Sequence, residues 1–284
     1  MNETVRTIHT DEIAACVARL CGEACTQLPQ PVESLLCGAC EREPYAPAKE
    51  LLALMKRNAE IARGERMPIC QDTGMAIIYA EVGQDVHLTG GTLEDAVNAG
   101  VAKGYTEGYL RKSVVRDPIR RGNTGDNTPA VLHVRLVAGD RIKLTVAPKG
   151  FGSENMSRLA MLTPAQGLEG VKAFVTETAR LAGANPCPPM MLGVGIGGDF
   201  EQVTALAKEA LVELRQGPHP DPFYAALEDE LLQSVNALGI GPQGFGGLTT
   251  ALSVRVKTAP THIAGLPVAV SVGCHVTRHA SAIL

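Results

Sequence analysis

The chain has 284 residues with 26 Lys and Arg against 30 Asp and Glu, a formal net charge of −4; nucleic-acid and anionic-membrane surfaces want a clustered cationic excess, so neither is expected. Apolar residues make up 45% and charged residues 20%, ordinary for a globular chain and unlike a disordered one. A chain of this size buries roughly 75% of the surface it exposes when unfolded, so disulfide stapling is unnecessary.

Met1 to Asp11 carries two acids and one Arg and lacks the apolar run of a secretory signal. No stretch approaches the ~18 uninterrupted apolar residues of a membrane span. Eight Cys without an export signal are expected to be reduced, in a cytoplasmic setting. From Thr10 to about Gly64 the pattern is helical: Ile13, Cys16, Val17, Leu20 and Cys21 recur at three- and four-residue spacing, as do Leu51, Leu52, Leu54, Met55 and Ile61. Met75 to Val82 predicts a strand. Thr92 to Lys112 predicts a helix entered through Thr92, with Glu94 and Asp95 in its first turn. Val131 to Val137, an Ala138-Gly139-Asp140 turn and Ile142 to Ala147 predict a β-hairpin.

Thr163 to Leu181 predicts a helix, Met190 to Ile196 a short buried strand, and Asp199 to Arg215 another helix. The Gly217 to Pro222 segment breaks the chain before a helix from about Tyr224 to Leu238. Two apolar runs follow, Thr249 to Val256 and Leu266 to Val272. No internal repeat is visible. The mixture predicts α+β (mixed α/β): residues 1–284 as one domain, in two lobes, with a helical layer over 1–65 and a mixed β-sheet region over 66–284.

The cysteines fall into two populations. Cys16, Cys21, Cys25, Cys37 and Cys40 lie in the helical opening and are expected to pack; Cys37 and Cys40 have C-x-x-C spacing but lack the second pair of a zinc site and the preceding strand of a redox motif. Cys70, Cys187 and Cys274 each sit alone in a stiff loop, beside Gly74, between Pro186 and Pro188, and after Gly273. Three thiolates on an iron-sulfur cubane leave one iron open, suited to Lewis-acid work on a hydroxyl or carboxylate oxygen.

Cys70-Gln71-Asp72-Thr73-Gly74, Asn123-Thr124-Gly125-Asp126-Asn127-Thr128-Pro129-Ala130, Lys149-Gly150-Phe151-Gly152-Ser153-Glu154-Asn155, Cys187-Pro188-Pro189 with Gly195-Ile196-Gly197-Gly198, Gly239-Ile240-Gly241-Pro242-Gln243-Gly244 and the Cys274 segment together resemble the α subunit of the two-subunit class I fumarate hydratases and L-tartrate dehydratases. The resemblance covers essentially the whole chain, in order. It implies an oxygen-sensitive [4Fe-4S] cluster held by Cys70, Cys187 and Cys274, with Gln71 and Asp72 facing the substrate and Asp72 helping to move a proton. It further implies that Arg111 grips a substrate carboxylate, that Lys149, Gly150 and Gly152 form a loop approaching the substrate, and that His262 is a substrate-site His; it gives Arg278 no defined role. The chain stops ten residues after Cys274, without the second domain of fused members that supplies further cations and the catalytic base. A separate β subunit, in an α2β2 assembly, is therefore expected.

Gly193, Gly195 and Gly198 fit G-x-G-x-x-G, but no second strand ending in an acid follows at about twenty residues, so a dinucleotide loop is not expected. They predict a tight turn near Cys187, with the helix start at Asp199 facing an anionic site. The expected activity is reversible hydration of fumarate to L-malate. Dehydration of L-tartrate is the alternative, and a non-enzymatic Fe-S carrier or redox sensor the reading from another class. The Lys149 to Asn155 stretch favours the fumarate version.

Overall fold

The computed structural model describes residues 5–213 and 217–284. In chain order they form β1 (Arg6–His9), α1 (Thr10–Thr26), α2 (Gln30–Arg42), α3 (Ala46–Glu65), β2 (Met75–Gly83), β3 (Val86–Thr89), α4 (Leu93–Glu107), β4 (Val131–Val137), β5 (Ile142–Lys149), α5 (Phe151–Glu154), β6 (Arg158–Leu162), α6 (Gly167–Ala182), β7 (Met190–Gly197), α7 (Gln202–Val212), α8 (Pro222–Asn236), β8 (Ala251–Ala259), β9 (Leu266–Gly273) and β10 (Ala280–Ile283). This is an α+β architecture, with a helical opening followed by mixed sheets interspersed with helices. No helix among the described residues is long and apolar enough to cross a membrane. The backbone divides into two compact units: Met1–Pro29, Ala59–Gly150 and Arg278–Leu284 form one, and Gln30–Asn58 with Phe151–Thr277 the other.

In the first unit a four-stranded sheet of order β10-β5-β2-β4 packs against α1, and α4 packs on α1. The predicted stripe of α1 is buried, with Ile13, Val17, Leu20 and Cys21 fully inaccessible. Two glycines one turn apart bring α4 onto it: a Cβ on Gly100 would stand 2.6 Å from the Ala14 carbonyl oxygen, and one on Gly104 2.7 Å from that of Ala18. The cap at Thr92 forms as predicted, its hydroxyl accepting the Asp95 N–H at 3.1 Å. The helix ends at Gly108 rather than Lys112, because Tyr109 turns left-handed at φ 52°. In α3 the apolar stripe is narrower than its sequence pattern: Leu52 and Met55 are buried, while Leu54 and Ile61 are exposed.

The predicted hairpin does not form. Both its strands exist, but β4 pairs parallel to β2 and β5 antiparallel to β2, so β2 lies between them. The connection therefore steps over one strand, a span of about 10 Å. It is seated by the end of β2, where Gly83 N–H donates to Arg141 O and Asp85 N–H to Gly139 O, at 2.8 and 3.0 Å. A crossover through α4 makes the parallel pair possible.

The second unit repeats this pattern. Its sheet has the order β6-β9-β7-β8, with β8 parallel and β9 antiparallel to the central β7. Both central strands thus carry one parallel and one antiparallel neighbour, and the outermost strand, β10 or β6, pairs antiparallel to the latter. The two sheets share this order of strand directions although the sequence carries no visible repeat. Helices α6 and α8 cover one apolar core, containing Val175, Leu192, Leu231 and Val270, and α7 packs on the sheet with Val203 and Ala207 against Ala269. The predicted end of the α7 segment, Arg215, lies outside the described residues.

The G-x-G pattern also has a different role from the expected turn. Gly193 and Gly195 lie inside β7, where added Cβ atoms would stand 2.2 Å from the carbonyl oxygens of Ala207 and Val203, so they exist to let α7 rest on the strand. The turn at Gly197 and Gly198 is at the far end of β7 from Cys187, roughly 23 Å along an eight-residue strand. Asp199 is occupied with its own helix start, Oδ1 accepting the N–H groups of Glu201 and Gln202 at 3.1 and 2.8 Å.

These contacts set opposite outcomes for two Gly→Ala changes. Gly193→Ala is expected to lower stability by about 1–3 kcal/mol through overpacking against the helix backbone. Gly22→Ala in α1, where nothing lies within 4 Å of the new methyl, is expected to raise it by about 0.5–1 kcal/mol. Urea unfolding of the two variants beside the parent chain checks both signs.

Candidate functional site

In the first unit the candidate residues converge where the loop entering β2 meets the exit of β5. Gly74, at φ 73°, lies so close to Lys149 that a Cβ would be 2.5 Å from its carbonyl carbon and oxygen. That approach brings Asp72, two residues after Cys70, against Gly150. Asp72 is oriented by the Gly74 N–H, which donates to Oδ1 at 3.1 Å, and Oδ2 faces Gly150, where a Cβ would be 3.0 Å away. The Asp72 N–H points at Cys70 Sγ at 3.4 Å. Arg111 is tied in through its main chain, its carbonyl accepting the Thr73 hydroxyl at 3.0 Å, while its side chain is exposed. Lys149 Nζ donates to Gly150 O at 3.2 Å.

This loop is held from beneath by buried polar groups. Tyr105 Oη donates to Thr73 O at 2.8 Å, and burial pushes its phenol well above the usual range. Asn127, fully buried at φ 67°, accepts the N–H groups of Ser113 and Val114 at 2.7 and 3.2 Å and donates to Gly74 O at 3.1 Å. Buried Arg278 donates to Asp72 O at 2.6 Å, and its charge lowers the pKa of the Cys25 thiol against the larger effect of burial.

In the second unit Cys187 and Cys274 are the corresponding pair. Cys187 stands just before β7 and Cys274 just after β9, and β7 pairs with β9 so that Met191 faces Gly273. The two loops are joined directly, His275 Nδ1 donating to Cys187 O at 2.9 Å. The Val276 N–H approaches Cys274 Sγ at 3.3 Å. Gly152 lies on the exposed start of α5, where a Cβ would reach no closer than 3.8 Å to Asn185 O, and Glu154 in the same short helix pairs with Lys208 of α7. His262 is in a different environment: exposed after β8, it accepts the Ala264 N–H at 3.2 Å and lines an apolar groove of about 380 Å³ with Leu168, Phe223, Tyr224 and Ile263.

A sequence profile described as fumarate hydratase (Fumerase) matches residues 14–283. The chain belongs to that family. It is 39% identical over 274 residues, 95% of this chain and 96% of the relative, to a Methanocaldococcus jannaschii protein provisionally named L(+)-tartrate dehydratase subunit alpha. It is 31% identical over 281 residues, 98% of this chain and 92% of the relative, to the L(+)-tartrate dehydratase subunit alpha of Escherichia coli, and equally so to that of Shigella sonnei. This Fumerase-family chain is accordingly an α-type subunit of the hydro-lyase class, a subunit-dependent enzyme.

The donor set of the chain suits an iron-sulfur group. Cys70 and Cys274 are half-buried and Cys187 is exposed. The N–H groups aimed at Cys70 and Cys274 are the kind of contact that would tune the potential of a thiolate-held cluster. Cys16, Cys21 and Cys25 are instead core residues whose thiols burial pushes up; at Cys25 the Arg278 guanidinium opposes that push. Cys37 and Cys40 are half-buried on α2. Among the described residues no three His, Cys, Asp or Glu side chains form a ready single-ion site. The fit rests on donor chemistry.

Sequence reasoning missed Tyr105, Asn127 and His275 as supports. Asn127 sat inside a quoted motif, but an Asn that answers three backbone groups cannot be told from a turn Asn by spacing. Asn127→Ala leaves the buried Val114 N–H without its partner and the Gly74 carbonyl with only the Tyr105 hydroxyl, at about 1–3 kcal/mol for a buried group left unsatisfied. A total loss above about 2 kcal/mol in urea unfolding is expected; an unchanged midpoint would show that the carboxamide is dispensable.

Proposed function

We propose that the chain is the α subunit of a hydro-lyase that removes water from a C4 hydroxy-dicarboxylate, L-tartrate first among them, in complex with a separate β subunit. The observation that carries the substrate is the near full-length identity to proteins named L(+)-tartrate dehydratase subunit alpha. That identity weakens the ranking of fumarate first on the Lys149 to Asn155 stretch. Reversible hydration of fumarate to L-malate is kept as the second reading because the matching profile is described as fumarate hydratase. Membership among hydro-lyase subunits disfavours a non-enzymatic carrier.

Cys70, Cys187 and Cys274 are the proposed holders of a [4Fe-4S] group, which when bound supplies an open iron as Lewis acid. Asp72 is the proposed proton carrier. Its carboxylate is pre-oriented by the Gly74 N–H, so it need not reorganise when a proton moves. Gln71, Lys149, Gly150 and Gly152 are proposed to bind substrate, and Arg111 to grip a carboxylate with its planar fork. His262, beside the Gly198 turn at the other end of β7 from Cys187, is left out of the proposed substrate site.

The deciding measurement is turnover of L-tartrate, L-malate and fumarate side by side by the anaerobically reconstituted α/β complex. Preference for L-tartrate supports the first reading, preference for fumarate and L-malate the second, and no turnover of any of the three overturns both. Serine variants of Cys70, Cys187 and Cys274 are expected to lose the thiolate-to-iron charge-transfer absorption, and Cys37→Ser to keep it. Arg111→Lys replaces a bidentate fork by a point charge, with an expected cost of about 1.5–3 kcal/mol in transition-state binding. That is roughly ten- to a hundredfold in kcat/KM, and a change under twofold with the cluster intact would make Arg111 a bystander.

A further inference from the structure

Within the second unit, the segment carrying Cys187 has few means of being held. Pro186, Pro188 and Pro189 have no N–H to donate, so anchoring falls to the Cys187 N–H and to carbonyl groups. The Cys187 N–H reaches Ala184 O at 3.1 Å, and Cys187 O takes the His275 ring. Pro188 O, the next carbonyl along, is taken twice by a single residue: Gln243 donates to it from its backbone N–H at 2.8 Å and from Nε2 at 3.2 Å.

Gln243 reaches that carbonyl at a conformational cost. It has φ 53°, in the left-handed region that disfavours a side chain. The neighbouring positive-φ positions, Gly239, Gly241, Gly244, Gly246 and Gly247, are all glycine. A glycine at 243 would meet the backbone requirement more cheaply and keep the N–H, so the side chain is there for what its amide does. The loop that presents it is braced independently: a Cβ on Gly241 would stand 1.7 Å from Gly246 O, and the fully buried carboxylate of Glu43 accepts the Leu248 N–H at 2.8 Å and the Tyr45 N–H at 3.1 Å.

We infer that Gln243 is a positioning residue that holds the Pro188 carbonyl, and through it the exposed Cys187 thiol, in the arrangement needed to ligate iron. The inference rests on the reading of Cys187 as a cluster ligand. Gln243→Gly removes the side chain, keeps the backbone N–H and relaxes the backbone; Gln243→Glu keeps the shape but turns an acceptor toward the Pro188 carbonyl.

The test uses the 284-residue chain. Three quantities are measured: the melting temperature of the apo form, the rate of Cys187 alkylation by iodoacetamide in the apo form read by peptide mass spectrometry, and the rate of iron loss to a chelator after anaerobic reconstitution. For Gln243→Gly the melting temperature is expected to hold or rise, while Cys187 alkylation changes and iron is lost roughly tenfold faster, the scale for outer-shell supports of metal ligands. Gln243→Glu is expected to lose iron at least as fast. Wild-type alkylation and iron-loss rates in both variants, with the cluster absent from Cys187→Ser, overturn the inference alone. A cluster retained by Cys187→Ser overturns the ligand reading, and the inference with it. A marked fall in melting temperature in both variants makes Gln243 a fold determinant and also overturns it.

Discussion

In each unit a cysteine-bearing loop is placed by one constraint: the entry to a central strand must lie against the exit of its antiparallel neighbour. In the first unit this means Gly74 against Lys149, at a separation no side chain tolerates. In the second it means Gly273 at the end of β9, paired with Met191 at the start of β7, where a Cβ would stand 3.3 Å from the Met191 carbonyl oxygen. Close approach of two chain segments forces glycine, and residues of the proposed site lie next to those glycines. The placement of Asp72 beside Gly150, and of the Cys274 loop against the Cys187 loop, follows from strand pairing more than from any side-chain attraction.

Strand pairing positions the loops, but buried polar groups set their shape. Loop backbone cannot complete a ladder, so each carbonyl and N–H taken from water needs a specific partner. Tyr105, Asn127 and Arg278 serve the Ile69 to Gly74 segment, while His275 and Gln243 serve Cys187 and Pro188. None of these five need touch a substrate for the cysteine loops to depend on it. Asn127 and Gln243 also adopt left-handed backbone without being glycine, a cost that persists where surrounding contacts over-determine the conformation.

The repeated sheet pattern explains why the sequence shows no repeat. What the two units share is an order of strand directions, which can be satisfied by any residues with the right alternation and burial. β2 reads Met-Ala-Ile-Ile-Tyr-Ala-Glu-Val-Gly and β7 reads Met-Met-Leu-Gly-Val-Gly-Ile-Gly. β7 is glycine-rich because α7 lies on it, a local demand that β2 does not meet.

Much was legible before any coordinates. The helical opening, the strand at Met75, the cap at Thr92 and the buried strand at Met190 follow from periodicity and capping chemistry, which act within a few residues. The packing of Cys16, Cys21 and Cys25 into the core was legible from the same periodicity. The hairpin was not, since Val131 to Val137 and Ile142 to Ala147 alternate in the same way whether they pair with each other or with a third strand between them. Nor was the purpose of Gly193 and Gly195, whose contact is a helix surface at Val203 and Ala207 that they can meet only after the chain turns back. Local chemistry determined the elements and their residue types; partner choice between distant strands, and the backbone groups that each loop must satisfy, were decided by tertiary packing, because those energies exist only once segments far apart in the chain have met.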